Sequence, residues 1–112
     1  MKKSISIFLV FIFISSFASY LKTNLTITVL DEKGNIVAGA DIKIYSNQEN
    51  WEKEVNPILQ GTSDEKGVCK FKDLSNLSIY LLVRKGDKDN TGGGEMTKLE
   101  EGKFNKVNVV IQ

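Results

Sequence analysis

Histidine is missing from this chain altogether. Its absence removes Ser-His-Asp and Cys-His nucleophilic catalysis and any imidazole-ligated zinc site. Cysteine occurs once, at Cys69, so no disulfide can form within the chain and the fold must be held by its core. Proline and tryptophan also occur once each, at Pro57 and Trp51. No segment has the length and 3.6-residue period of a core helix. A basic patch is missing as well: charges alternate in sign along the chain, which counts against sequence-independent nucleic-acid binding. The one dense cationic pair, Arg84-Lys85, reads as the end of a strand.

A long apolar run occurs only at the start. Lys2 and Lys3 precede Ile5 to Ile14, broken only by Ser6, and Ser16-Phe17-Ala18 supplies the small residues a signal peptidase reads. This predicts a secretory signal peptide over residues 1–18, cleaved after Ala18 or close by, and one domain over residues 19–112. The competing reading is an uncleaved N-terminal anchor. The apolar run is short for a membrane span, and no cysteine stands at the cleavage region for a lipid anchor. The expected product is periplasmic or extracellular, with no stable membrane anchor after cleavage. Lys2 and Lys3 leave with the signal, so 13 of the 15 basic residues remain against 14 acidic ones, and the net charge passes from +1 to −1. Four of the six phenylalanines leave too. The core is then expected from Leu, Ile and Val, with Phe71, Phe104, Tyr45, Tyr80 and Trp51.

What remains is β-patterned. Leu25, Ile27 and Val29 alternate with Asn24, Thr26 and Thr28, as in a half-buried strand. Asp31-Glu32-Lys33-Gly34 follows, and the same four residue types return at Asp64-Glu65-Lys66-Gly67. Asp opens such a turn by bonding nearby backbone, and Gly closes it where φ can be positive. Two hairpin-like units of one turn chemistry predict an antiparallel β-sandwich. Further strands are expected over 41–46, with Ala40, Ile42 and Ile44 inward and Tyr45 outward, and over 58–63, 68–72, 78–85, 95–99 and 104–111. Cys69 and Phe71 are expected inward, Cys69 as an inert buried thiol. The run Ser78 to Lys85 is nearly continuous in apolar residues, so both of its faces are expected to be covered. About seven short strands with regular turns fit an all-β, single seven-stranded antiparallel Greek-key sandwich.

Val29-Leu30-Asp31-Glu32-Lys33-Gly34-Asn35, Val37, Gly39-Ala40, Ile42 and Ile44, then Thr62 to Gly67 with Phe71, Leu74 and Tyr80, resemble carboxypeptidase regulatory-like domains. The tail from Lys85 through Gly92-Gly93-Gly94 to Asn108 is similar to small stand-alone secreted bacterial members. The resemblance implies a transthyretin-like, or prealbumin-like, sandwich that serves as an accessory module without catalysis or cofactor. Hydroxyisourate hydrolases share that fold but use His, which is absent. Some adhesin sandwiches of similar pattern carry a Lys–Asn crosslink from the end of the first strand; here those positions are Val29 and Leu30, and Lys22 lies too early.

Two connections are long enough to recognise something. Asn47 to Pro57, with one helical turn expected over 49–54, carries Trp51, which would either stack on a sugar or anchor a partner, or fold back to cap the open end of the sandwich. Gly86 to Gly94 carries Asp87, Asp89 and Asn90, weak candidates for calcium without the fixed spacing of an EF-hand loop, or else a flexible turn that tolerates trimming. The function expected is a binding or interaction module, its partner a cell-envelope protein or glycan. The alternatives are a carbohydrate- or calcium-binding module and a small hydrolase using carboxylates.

Overall fold

A computed structural model describes residues 22–92 and 96–112; the expected signal peptide lies outside them, as do Gly93, Gly94 and Glu95. Strand β1 is Asn24–Leu30, and Leu25, Ile27 and Val29 are fully buried, as the alternation demands. After a DEKG turn and a single bridge from Leu30 to Ile36, β2 runs Asp41–Tyr45. A short helix, α1, follows at Gln48–Lys53. Then come β3, Leu59–Thr62, and β4, Val68–Phe71. The longest strand, β5, is Ser78–Lys85; after it lie β6, Lys88–Asp89, β7, Met96–Lys98, and β8, Phe104–Val110.

These strands form two sheets. The smaller has the order β4-β1-β8, and the larger the order β3-β2-β5, with β6 and β7 both lying along the free edge of β5. Inward residues of the two sheets make one core: Leu25, Ile27 and Val29 meet Ile42, Ile44, Ile79, Leu81 and Val83, closed by Val109 and Ile111. Each such side chain contributes roughly 1.5–3 kcal/mol by leaving water.

The pairing is not wholly antiparallel. β1 and β8 run parallel, from Asn24 opposite Phe104 to Leu30 opposite Val110. The cause is where the last turn lies. Gly102 N–H donates to Thr23 Oγ1 at 2.9 Å, and Asn24 N–H to Lys103 O at 3.0 Å, so β8 starts beside the start of β1 and must run with it. Alternation sets a strand's faces but carries no information on the direction of its partner.

The two DEKG turns share every hydrogen bond made by backbone N–H groups, and only the first adds a side-chain bond, from Asn35 Nδ2 to Asp31 Oδ2 at 3.5 Å. Asp31 Oδ1 accepts from the N–H groups of Lys33 and Asn35, both at 2.9 Å, and Asp64 Oδ1 accepts from those of Lys66 and Val68 at 2.8 and 3.0 Å. Gly34 and Gly67 both have positive φ, +85° and +76°. Yet the second turn is no hairpin within one sheet. It carries the chain from β3 in the larger sheet to β4 in the smaller. Ser63 supports that crossing: its hydroxyl accepts from Ala40 N–H and donates to Val37 O.

Of the aromatics expected in the core, Phe104 lies outside it and Tyr45 is buried on the outward side of its strand. Phe104 is 83% exposed, because its neighbour Asn105 takes the inward side and bonds Glu100 and Lys103 across the preceding turn. Tyr45 is fully buried although it shares the outward side of β2 with Asp41 and Lys43; α1 covers that face. Cys69 is half-buried rather than sealed in the core.

Candidate functional site

The two long connections meet at the Leu81 carbonyl of β5, one from the sheet's outer face and the other from the strand's edge. The first one makes α1. Asn47 caps it, Oδ1 accepting from Asn50 N–H at 2.8 Å, and Glu54 ends it in the left-handed conformation. A helix of six residues is not stable in isolation. It is held by Trp51, whose indole N–H donates to Leu81 O at 3.0 Å and whose ring packs against Tyr80 with centroids 6.3 Å apart. Trp51 thus lies on a sheet face and does not cap the end of the sandwich. Both it and Tyr80 stay half-exposed.

Beside them the Arg84 guanidinium donates twice to the Glu54 carboxylate, at 2.9 and 3.3 Å. That fork holds the Glu54 carboxyl below its ordinary range and raises Arg84. Both side chains are 42% exposed, so the pair fixes geometry more than it stabilises. Beneath α1 the Tyr45 hydroxyl is buried with no hydrogen-bond partner among the described residues, and burial pushes its phenol up. Leu82, on the same face, is buried too, which accounts for the continuous apolar run in β5.

The second connection is ordered by its own residues. Asn90 is 1% exposed. Its Oδ1 accepts from Val83 N–H and its Nδ2 donates to Leu81 O, each at 2.9 Å. Trp51 and Asn90 therefore converge on one carbonyl. Asp89 stands opposite Arg84 in the β5–β6 pair, and its carboxylate accepts from the Thr91 N–H and hydroxyl at 3.1 and 2.7 Å, which lowers its pKa. Asp89 and Gln112 also exchange backbone hydrogen bonds, tying this loop to the chain's last residue. Asp87 is exposed. Of the three calcium candidates, Asn90 already has its oxygen engaged by the backbone. Among the described residues no group of three or more His, Cys, Asp or Glu side chains could hold a metal.

The remaining carboxylates with shifted acidity are the turn residues Asp31 and Asp64, both held low by backbone N–H groups. Burial pushes the Cys69 thiol up. Val29 is paired with Val109, both buried, at the end of the first strand where the crosslinked adhesins carry their lysine. Sequence inspection missed Glu54, Tyr80 and Arg84 as members of this face. Arg84 was legible only as the end of a strand, and nothing local tells Glu54 to reach thirty residues ahead.

No protein-family model matches the chain, and no curated protein matches it. Solved structures do. The Bacillus anthracis TIE protein aligns over 80% of this chain and 16% of its own at 15% identity, with a TM-score of 0.58. The major pilin subunit of Bacillus cereus aligns over 81% of this chain and 30% of its own, at 17% identity and a TM-score of 0.53. The group B streptococcus pilus 2b backbone protein aligns over 80% and 40%, at 14% identity and 0.52. This chain thus spans less than half the length of each of these three structures. At these identities the likeness shows the fold, a β-sandwich of the kind found in pilus subunits. No helix among the described residues is long and apolar enough to cross a membrane.

Proposed function

We propose that this chain is an exported, non-catalytic sandwich module of the carboxypeptidase regulatory-like, transthyretin-like kind, a structural or binding unit whose partner is a cell-envelope protein or glycan. The observation that carries it is the convergence of the two long connections on the Leu81 carbonyl of β5, beside which Trp51 and Tyr80 are half-exposed next to the Glu54–Arg84 pair. An aromatic pair flanked by a fixed charge pair suits recognition. Sandwich neighbours named as pilin subunits agree with a surface role. The carboxyls whose acidity shifts, Asp31, Glu54, Asp64 and Asp89, are all held low, and none is poised as a general acid.

The test is capture of envelope components by immobilised protein, with Tyr80→Ser and Lys43→Glu as variants. Both positions are partly exposed on this face and lie outside the core cluster, and Tyr80→Ser gives up only the packing against Trp51. Loss of the captured species by folded variants is the expected result. Undiminished capture by both would place recognition elsewhere. A calcium ion would have to rest on Asp87 and Asp89, and a calcium-dependent rise in melting temperature abolished by Asp87→Asn would reveal it.

A further inference from the structure

The two outer faces of the sandwich are treated differently. The larger sheet carries α1 on its back; the smaller sheet, β4-β1-β8, has no helix packed on it among the described residues. Its three strands, NLTITVL, VCKF and FNKVNVV, contain no Asp or Glu. Register decides what its open face presents. Thr26 pairs with Lys70 on one side and Lys106 on the other, so the two lysines flank it in one row across the sheet. Thr28 lies between Val68 and Asn108 in the next row, Leu30 pairs with the exposed Val110 beyond it, and Phe104, 83% exposed, pairs with Asn24 at the other end. Lys70 and Lys106 are both exposed and neither belongs to an ion pair among the described residues. The chain is near neutral, yet no strand of this face carries an acid; Asp64, in the turn ahead of β4, lies close enough to Lys70 to feel its charge.

We infer that this open face is a docking surface for a linear acidic polysaccharide. The rows of Thr and Asn supply hydroxyl and amide groups of the kind that bond sugar hydroxyls. The two lysines stand two strand spacings apart, roughly 9–10 Å, and meet carboxylates on a chain laid across the strands. Phe104 offers a bare ring for the apolar face of a sugar. Two lysines are few for a nucleic acid, which is bound by many phosphate contacts. The inference rests on the binding-module reading but places this partner on the face opposite α1.

Electrophoresis in native gels containing polygalacturonate, against gels containing neutral dextran, tests it. The protein should be retarded by polygalacturonate alone, and added salt should relieve the effect by screening. Lys70→Glu with Lys106→Glu should weaken binding by about tenfold or more, since attraction becomes repulsion at both sites. Lys88→Glu with Lys98→Glu changes net charge equally on exposed residues of the larger sheet and should leave retardation on this face largely in place. Phe104→Ala should weaken binding without altering its salt dependence. No retardation, or equal loss in the two double variants, overturns the proposal. Lysine-dependent binding only to a DNA oligonucleotide or to phosphatidylglycerol vesicles overturns the choice of polysaccharide. Envelope capture that still depends on Tyr80 while polygalacturonate is ignored removes this proposal and leaves the module reading intact.

Discussion

The side chain of Asn90 stands in for a strand residue beside Val83. β6 and β7 leave a gap along the edge of β5, and in that gap Asn90 Oδ1 takes the Val83 N–H while Nδ2 reaches Leu81 O. An amide carries the same donor and acceptor as a peptide group, so one side chain continues the ladder.

Asn90→Ala is accordingly expected to cost about 2–4 kcal/mol, because a buried Val83 N–H is left without a partner and Leu81 O loses one of two donors. Thr91→Ala, which touches only the exposed Asp89 carboxylate, should cost less than about 1 kcal/mol. Urea unfolding of both variants checks this. Equal midpoints would mean that Asn90 is not part of the ladder. For the same reason, trimming the whole of 87–93 should unfold the domain, contrary to what loop length alone suggests.

The two turn glycines should respond unequally. A methyl group at Gly34 meets nothing within 4 Å, so Gly34→Ala carries only backbone strain, about 1–2 kcal/mol. At Gly67 the same methyl group meets Ile36 Cβ at 3.0 Å, Val29 O at 3.1 Å and Val37 N at 3.2 Å. Gly67→Ala should therefore lower thermal stability by roughly 1–3 kcal/mol more than Gly34→Ala, through crowding against backbone. Identical melting temperatures would contradict the placement of Gly67.

Acid should weaken the fold through its turns. Asp31, Asp64 and Asp89 have folded pKa values below their ordinary ones, chiefly through the Asn35 backbone, the Val68 backbone and the Thr91 hydroxyl respectively. A depressed carboxyl stabilises fully above its unfolded pKa, about 4, and loses that contribution as pH falls through the folded value. Melting temperature should therefore be flat from pH 7 to about 5 and decline below about 4. Asp31→Ala with Asp64→Ala should start lower at pH 7 and decline less steeply. An unchanged slope in that double variant would refute the linkage.

Gly61 is matched to Cys69. A methyl group there would stand 2.7 Å from Cys69 Sγ and 3.1 Å from Phe71 Cζ. Gly61→Ala should destabilise by about 1–3 kcal/mol through overpacking. Adding Cys69→Ala should recover part of that loss, because the larger clash is with sulfur. A double-mutant cycle with no coupling energy would show that the two residues do not share this space.

Much of the fold was written locally. The alternation Leu25, Ile27, Val29 set one buried face because successive strand residues point to opposite sides. The repeated DEKG turns followed from the bonding capacity of Asp and the φ freedom of Gly, which need no distant partner. The lack of His limits the chemistry whatever the fold. Tertiary structure alone decided the rest. That β8 runs parallel to β1 depended on where Gly102 comes to lie beside Thr23. That Tyr45 is covered depended on which sheet face receives α1, and that Phe104 is bare depended on Asn105 turning inward to bond Glu100 and Lys103. That Asn90 belongs to the ladder, and Glu54 to Arg84, depended on chain segments meeting across the sheet. Periodicity and turn chemistry act over a few residues, whereas these relations join residues seven to eighty positions apart, and only packing brings them together.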